Sequence, residues 1–267
     1  MLQKSYKRIY SNFSMEKRAQ VTIYVILALV IIGVVIFFIL SRQSISLIQS
    51  KETSPQLFLK NCISPEINKK IKTLSEQGGS FAPESFLFFN DKKVKYLCYT
   101  SSDYKTCIVQ EPLLIESFEK ELSDSLSKIV DNCFSDFKEN FESEGYTISG
   151  GNSRVNTTIV PGKIQITFLN PMTISKGEES RNYKNLEISF ESQIYDLLSI
   201  ATSIIDFESK LGDSETTLYM RYYPNLKIQK INKDEGSTIY IVEDVTTKEQ
   251  FIFASRSLVW PPGYGLK

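Results

Sequence analysis

The chain has 267 residues, 31 basic and 31 acidic side chains, four cysteines and no histidine. Without histidine, Ser-His-Asp and Cys-His catalysis are excluded, and with no Cys-x-x-Cys pair the spacing of a zinc site is missing as well. A charge balanced at zero has no electrostatic footprint for nucleic acid.

Residues 1 to 20 carry Lys4, Lys7, Arg8, Lys17 and Arg18 against Glu16, a net of +4 that leaves −4 for the remainder. Val21 to Leu40 then run without charge or proline. As a helix rising about 1.5 Å per residue, such a stretch reaches about 30 Å, the hydrocarbon thickness of a bilayer. A buried core helix would keep a polar face, and this run has none. The sequence predicts a transmembrane helix in contact with membrane lipid. The basic flank holds the N-terminus in the cytoplasm and puts the chain beyond about residue 41 outside. A cleaved secretory signal fits less well, because its apolar region is usually about 7 to 15 residues and ends at a small-x-small site.

The junction Lys17-Arg18-Ala19-Gln20-Val21-Thr22 resembles the class III signal peptide of archaeal type IV pilins and archaellins. The resemblance is confined to this junction. It implies a cut between Ala19 and Gln20 on the cytoplasmic side, with the apolar helix retained and able to pack into a filament core. Bacterial pilins usually carry a glutamate five residues past the cut, where this chain has Tyr24. A plain uncleaved signal anchor is the alternative.

Beyond Leu40, Ile45, Leu47 and Ile48 extend the helical pattern as a stalk to about Ser50. Ser54-Pro55 reads as a helix cap and first turn, and Ser64-Pro65 repeats that signal. Ile67, Ile71 and Leu74 follow at helical spacing, and Gly78-Gly79 ends the segment. Residues 81 to 111 read as extended chain. There, Val94–Thr100 and Thr106–Val109 flank a Ser-Ser-Asp turn as a hairpin. Pro112 opens the clearest amphipathic helix, with Ile115, Phe118, Leu122, Leu126, Ile129, Cys133, Phe137 and Phe141 in one stripe and Gly145 at its end.

From Tyr146 to Glu191 the period changes to two. Ile164, Ile166 and Phe168, then Leu186, Ile188 and Phe190, alternate with polar residues as in a half-buried antiparallel sheet. Ile194, Leu197, Leu198, Ala201, Ile204 and Ile205 form a second apolar stripe, with Gly212 past its end. Strands are expected at about 216–222, 226–232, 237–243 and 249–259. Tyr219, Tyr222 and Tyr223 beside Arg221 read as aromatic packing on the first of these, with a carbohydrate platform as the alternative. Helices and strands in blocks indicate an α+β fold: a transmembrane helix, then an extracytoplasmic domain of amphipathic helices and antiparallel sheet. The expected divisions are 1–20, a cytoplasmic tail or leader; 21–50, membrane helix and stalk; 51–145, mostly helical with a hairpin; and 146–267, antiparallel sheet with one amphipathic helix.

All four cysteines lie on the outer side of the expected span. Two disulfides have three possible pairings. The hairpin would bring Cys98 to Cys107, leaving Cys62 for Cys133, with four buried thiols as the alternative. Asn156-Thr157-Thr158 is an N-glycosylation acceptor on the outer side, whereas Asn12-Phe13-Ser14 falls inside. No Gly-x-Ser-x-Gly elbow, phosphate loop or dinucleotide fingerprint is present, so no catalytic, cofactor or metal residues are assigned. The leading expectation is a cell-surface structural or interaction protein, not an enzyme, which self-associates or binds other surface proteins and could be a pilin-like subunit. A single-pass sensory or ligand-binding ectodomain is the alternative, ahead of an anchored enzyme.

Overall fold

The computed structural model describes residues 27–35, 54–169 and 171–260. Residues 27–35 form helix α1, with every residue exposed. Among the described residues no helix is long and apolar enough to cross a membrane. The remainder of the expected span, the stalk to Ser50, the tail 1–20 and the Ala19–Gln20 junction lie outside the described residues.

Helix α2, Pro55–Glu76, begins as its sequence dictates: Leu57 N–H donates to Ser54 Oγ at 3.2 Å and proline occupies the first turn. Ser64-Pro65 does not start a second helix; Pro65 lies inside α2. A proline there leaves the carbonyl four residues earlier, at Asn61, without its helical donor. Both residues face solvent, so water can supply the missing bond. The buried row Leu59, Ile63, Ile67 and Leu74 runs through the proline and keeps the helix in one piece.

Helix α3, Leu114–Ser143, buries Leu114, Phe118, Leu122, Leu126, Val130, Cys133, Phe134, Phe137 and Phe141. Ile115 and Ile129, expected on the stripe, sit at its margin, half-buried. The helices α2 and α3 run antiparallel, with Phe58 against Phe137 and Phe141 at ring distances of 5.8 and 6.1 Å.

The principal sheet has the order β1-β2-β12-β11-β10, with β3 also on β2. Its strands are β1 Phe86–Phe89, β2 Lys92–Tyr99, β3 Ile108–Val109, β10 Leu226–Asn232, β11 Thr238–Asp244 and β12 Gln250–Arg256. The β2–β12 pair is parallel, whereas the other described pairs are antiparallel. It joins the region before residue 145 to the end of the chain.

The remaining strands are β4 Thr147–Gly150, β5 Val155–Val160, β6 Lys163–Phe168, β7 Met172–Lys176, β8 Glu179–Tyr183 and β9 Leu186–Glu191. They form two three-stranded sheets, β4-β7-β8 and β5-β6-β9. Because β4 leads into β5, β6 into β7 and β8 into β9, the two are halves of one bent meander with β6–β7 in the middle. The bend falls at Gly150-Gly151, whose φ angles are 73° and 68°. A Cβ on Gly150 would meet the Pro171 carbonyl oxygen at 2.8 Å, and one on Gly151 would meet the Phe134 ring at 2.8 Å. Glycine is required for the backbone to pass this close to α3. Ile159, Ile164, Ile166, Phe168, Leu186, Ile188 and Phe190 make the buried face of the β5-β6-β9 half, in the alternation that the sequence predicts.

Helix α4, Ile194–Leu211, buries the expected stripe, and Gly212 closes it in the left-handed conformation. Residues 216–222 are not a strand but a short helix, α5, Thr216–Tyr222. Its β-branched and aromatic composition favours extended chain. Tertiary contacts override that preference: Glu215 caps the Thr217 N–H at 3.0 Å, and the Tyr219 hydroxyl meets Ser203 Oγ on α4 at 2.7 Å. From Ser54 onward the chain forms one compact unit. Its fold is α+β, rich in antiparallel sheet.

Candidate functional site

The four cysteines form two disulfides, Cys62–Cys133 and Cys98–Cys107, and no described cysteine is free. The first links α2 to α3, with Cα atoms 5.9 Å apart. The second, at 5.4 Å, closes the loop between β2 and β3. Its partners do not face one another across the ladder: Cys98 pairs in register with Val109, and Cys107 lies just before β3. Asn156 is exposed on β5, with its side-chain amide donating to Thr158 Oγ1 at 3.3 Å. It is accessible for modification. The outward N–H groups of Thr157 and Ile159 on this edge strand are capped by Ser123 and Glu119 of α3, at 3.1 and 2.6 Å. The edge is thereby closed to a further strand.

One carboxylate is buried where the sequence reading placed none. Glu208, 3% exposed, lies on the last turn of α4. The hydroxyl of Tyr240 on β11 donates to it, and Ser255 Oγ on β12 donates at 3.1 Å. Ser257 Oγ donates to the Glu208 carbonyl at 2.8 Å and accepts from the Cys107 N–H at 3.0 Å. Burial pushes the Glu208 carboxyl above the usual carboxylate range, against the opposing pull of the Tyr240 hydroxyl and Lys230. Burial likewise lowers the Lys230 ammonium, with Glu208 opposing. Lys230 lies over the Tyr240 ring, 5.6 Å from its centroid, and pairs with Asp213. One sequence signal could have found Glu208: it continues the apolar stripe, four residues after Ile204. Both of its oxygens are occupied, so the group ties α4 to the sheet and to the Cys98–Cys107 loop.

Two clefts open on either side of the α4 N-terminus. One, of about 420 Å³, is lined by Lys72, Ser75 and Glu76 of α2, by Glu191 and Ser192, and by the 247–250 turn. Glu249 from that turn accepts from the Gln193 N–H at 2.6 Å and from Ser192 Oγ at 3.0 Å, capping α4. The other, of about 370 Å³, lies between the first turns of α4 and the α5–β10 connection. Tyr195, Ile200, Tyr223 and Leu226 give it an apolar and aromatic wall, and Gln193, Asp196, Ser199, Asn225 and Asp244 its polar groups. Of the three tyrosines noted in the sequence, only Tyr223 lines this cleft; Tyr219 turns to α4 and Tyr222 is 77% exposed. They do not form a common platform. Nothing in the sequence pairs Tyr195 with Tyr223, because the turn from α5 into β10 is what joins them.

Compared with models of protein families, with curated proteins and with solved structures, the chain finds no match.

Proposed function

We propose that this chain is a membrane-anchored protein of the cell surface that acts as a structural or interaction subunit. The observation that carries the reading is the pair of disulfides in the unit that follows a charge-free apolar run. Disulfides persist in oxidising compartments, and a basic flank before an apolar run sets the N-terminus inside. The pilin-like junction extends the proposal to assembly: cleavage between Ala19 and Gln20, with the helix retained and packing on other copies. Helix association in lipid relies on close packing at small residues, of which Ala28 and Gly33 are two.

Protease added to intact cells should digest the chain beyond residue 50 and spare residues 1 to 20; protection of the outer unit would reverse the topology. A mature N-terminus at Gln20, read by mass spectrometry, distinguishes processing from a plain anchor. A Cβ on Gly33 meets nothing within 4 Å, so Gly33→Leu tests association without disturbing the described fold. Cross-linking of the full chain in membranes should fall in that variant, and unchanged cross-linking makes the helix a tether only.

The second reading is a ligand-binding ectodomain. The Tyr195–Tyr223 cleft is the observation that favours it, as a concave site where an apolar and aromatic wall meets polar groups is the usual form of a small-molecule site.

A further inference from the structure

We infer that the cleft between α4 and the α5–β10 connection binds a small organic cation, an alkylammonium group on a short apolar stem. The inference deepens the ligand-binding reading and rests on it. Asp196 and Asp244 line the cleft and, among the described residues, no lysine or arginine does. The neighbouring cations on β10 and the 245–249 turn are turned to another partner: Lys227 and Lys248 lie 3.9 and 3.7 Å from the Glu243 carboxylate. Two acidic residues are left in the cleft wall without a basic neighbour there.

The two carboxylates differ in stiffness. Asp244 is fixed, because its Oδ1 accepts from the Thr246 and Thr247 N–H groups at 2.9 and 2.8 Å and from the Thr247 hydroxyl at 3.2 Å. Asp196 stands exposed in the first turn of α4. A ligand ammonium can therefore rest on a preorganised acceptor and recruit the second.

The rest of the lining selects among cations. A calcium ion takes 6–8 oxygen ligands, and here most of the wall is carbon: Tyr195, Leu197, Ile200, Tyr223, Pro224 and Leu226. Tyrosine faces attract an organic ammonium through the ring quadrupole, and aliphatic side chains cover its stem. Tyr223 is 56% exposed, so its ring is open on its outer side. A ligand lying against it would cover that ring. An anion finds no counter-charge in this cleft.

The test is titration of the full chain, in non-ionic detergent at low salt, with n-butylammonium chloride. n-Butanol serves as the neutral analogue and N-acetylglucosamine as a polyol. Butylammonium should bind about tenfold more tightly than n-butanol, and added salt should weaken it. Asp196→Asn and Tyr223→Ala should each weaken binding about threefold or more. Asp206→Asn, which removes an exposed carboxylate of the same helix outside the cleft, should leave it unchanged. Equal affinity for n-butanol, or binding unaffected by Asp196→Asn, overturns the assignment. Binding of the polyol alone leaves a ligand-binding ectodomain but removes the cation. No binding of any probe removes both.

Discussion

Thr157 stands in the middle of an apolar sheet face, directly across from Ile166, and is 2% exposed. Its hydroxyl has no partner among the described residues. A buried unpaired hydroxyl costs about 1–3 kcal/mol. Thr157→Val, of the same shape, should therefore raise the unfolding free energy by about 1 kcal/mol, read as a higher denaturant midpoint at unchanged slope. The acceptor sequence survives this change, since only Asn156 and Thr158 define it. Glu208 makes a prediction in pH. Its folded-state pKa is raised, so the folded chain keeps a proton that the unfolded chain has lost. Stability should then fall as pH rises from about 4.3, the ordinary glutamate value, through the raised value, and level off above it. Glu208→Gln keeps an acceptor for the Tyr240 hydroxyl, turns an N–H donor to Ser255 Oγ in place of the second acceptor, and removes this dependence. Its stability relative to the parent chain should improve across that window, in denaturant melts at a series of pH values; a constant difference would refute the assignment. Strand period puts Thr157, two residues before Ile159, on the apolar face. The bonds that hold Glu208 were not legible in the sequence, since Tyr240 and Ser255 lie 32 and 47 residues away.

At the scale of elements, local pattern succeeded where a segment buries a single face. The stripe of α4 and the alternation of β6 and β9 stand as the sequence predicts, and so does that of α3 apart from Ile115 and Ile129 at its margin. It failed at α2, where proline reads as a start but burial on both sides carries the helix through. It failed again at α5, where a side-chain cap and a hydroxyl contact outweigh strand propensity. The two disulfides stabilise unequally. Cys62–Cys133 spans 71 residues and Cys98–Cys107 spans 9. On the chain-entropy account, removing the first as a Cys62→Ala, Cys133→Ala pair should cost about 4 kcal/mol, and removing the second about 3. Calorimetry of the two double variants checks the order. The bend of the meander supplies a further test. Gly151→Ala meets the Phe134 ring at a positive φ, so it should destabilise by about 1–3 kcal/mol. No loss of stability would mean that the strand passes α3 less closely.

At the scale of the molecule, the expected boundary at residue 145 does not separate sheets, because β2 lies against β12. Leu97 from β2 shares one core with Phe251 and Phe253 from β12 and with the α2 and α3 rows. A chain ending at residue 145 would lose β12 and the β5-β6-β9 face together and leave α2 and α3 with their apolar rows exposed. It should show neither dispersed amide resonances nor a cooperative melt. The intact chain from Ser54 onward should unfold in one transition, with far- and near-ultraviolet circular dichroism coinciding. Two separated transitions would instead support independent halves.

The sequence by itself determined the class of the fold, the apolar run that suggests an anchor and most helix and strand faces, and it favoured one of three cysteine pairings, which the structure then selected. The determined features are written in neighbouring residues: a period of 3.6 or 2, a cap, or a run without charge. Tertiary structure alone decided the β2–β12 pairing, the bend at Gly150-Gly151, the helical state of 216–222, the burial of Glu208 and the cleft that joins Tyr195 to Tyr223. These depend on contacts between residues far apart in the chain, where the free energy of burial and hydrogen bonding exceeds a local preference worth about 1 kcal/mol or less per residue.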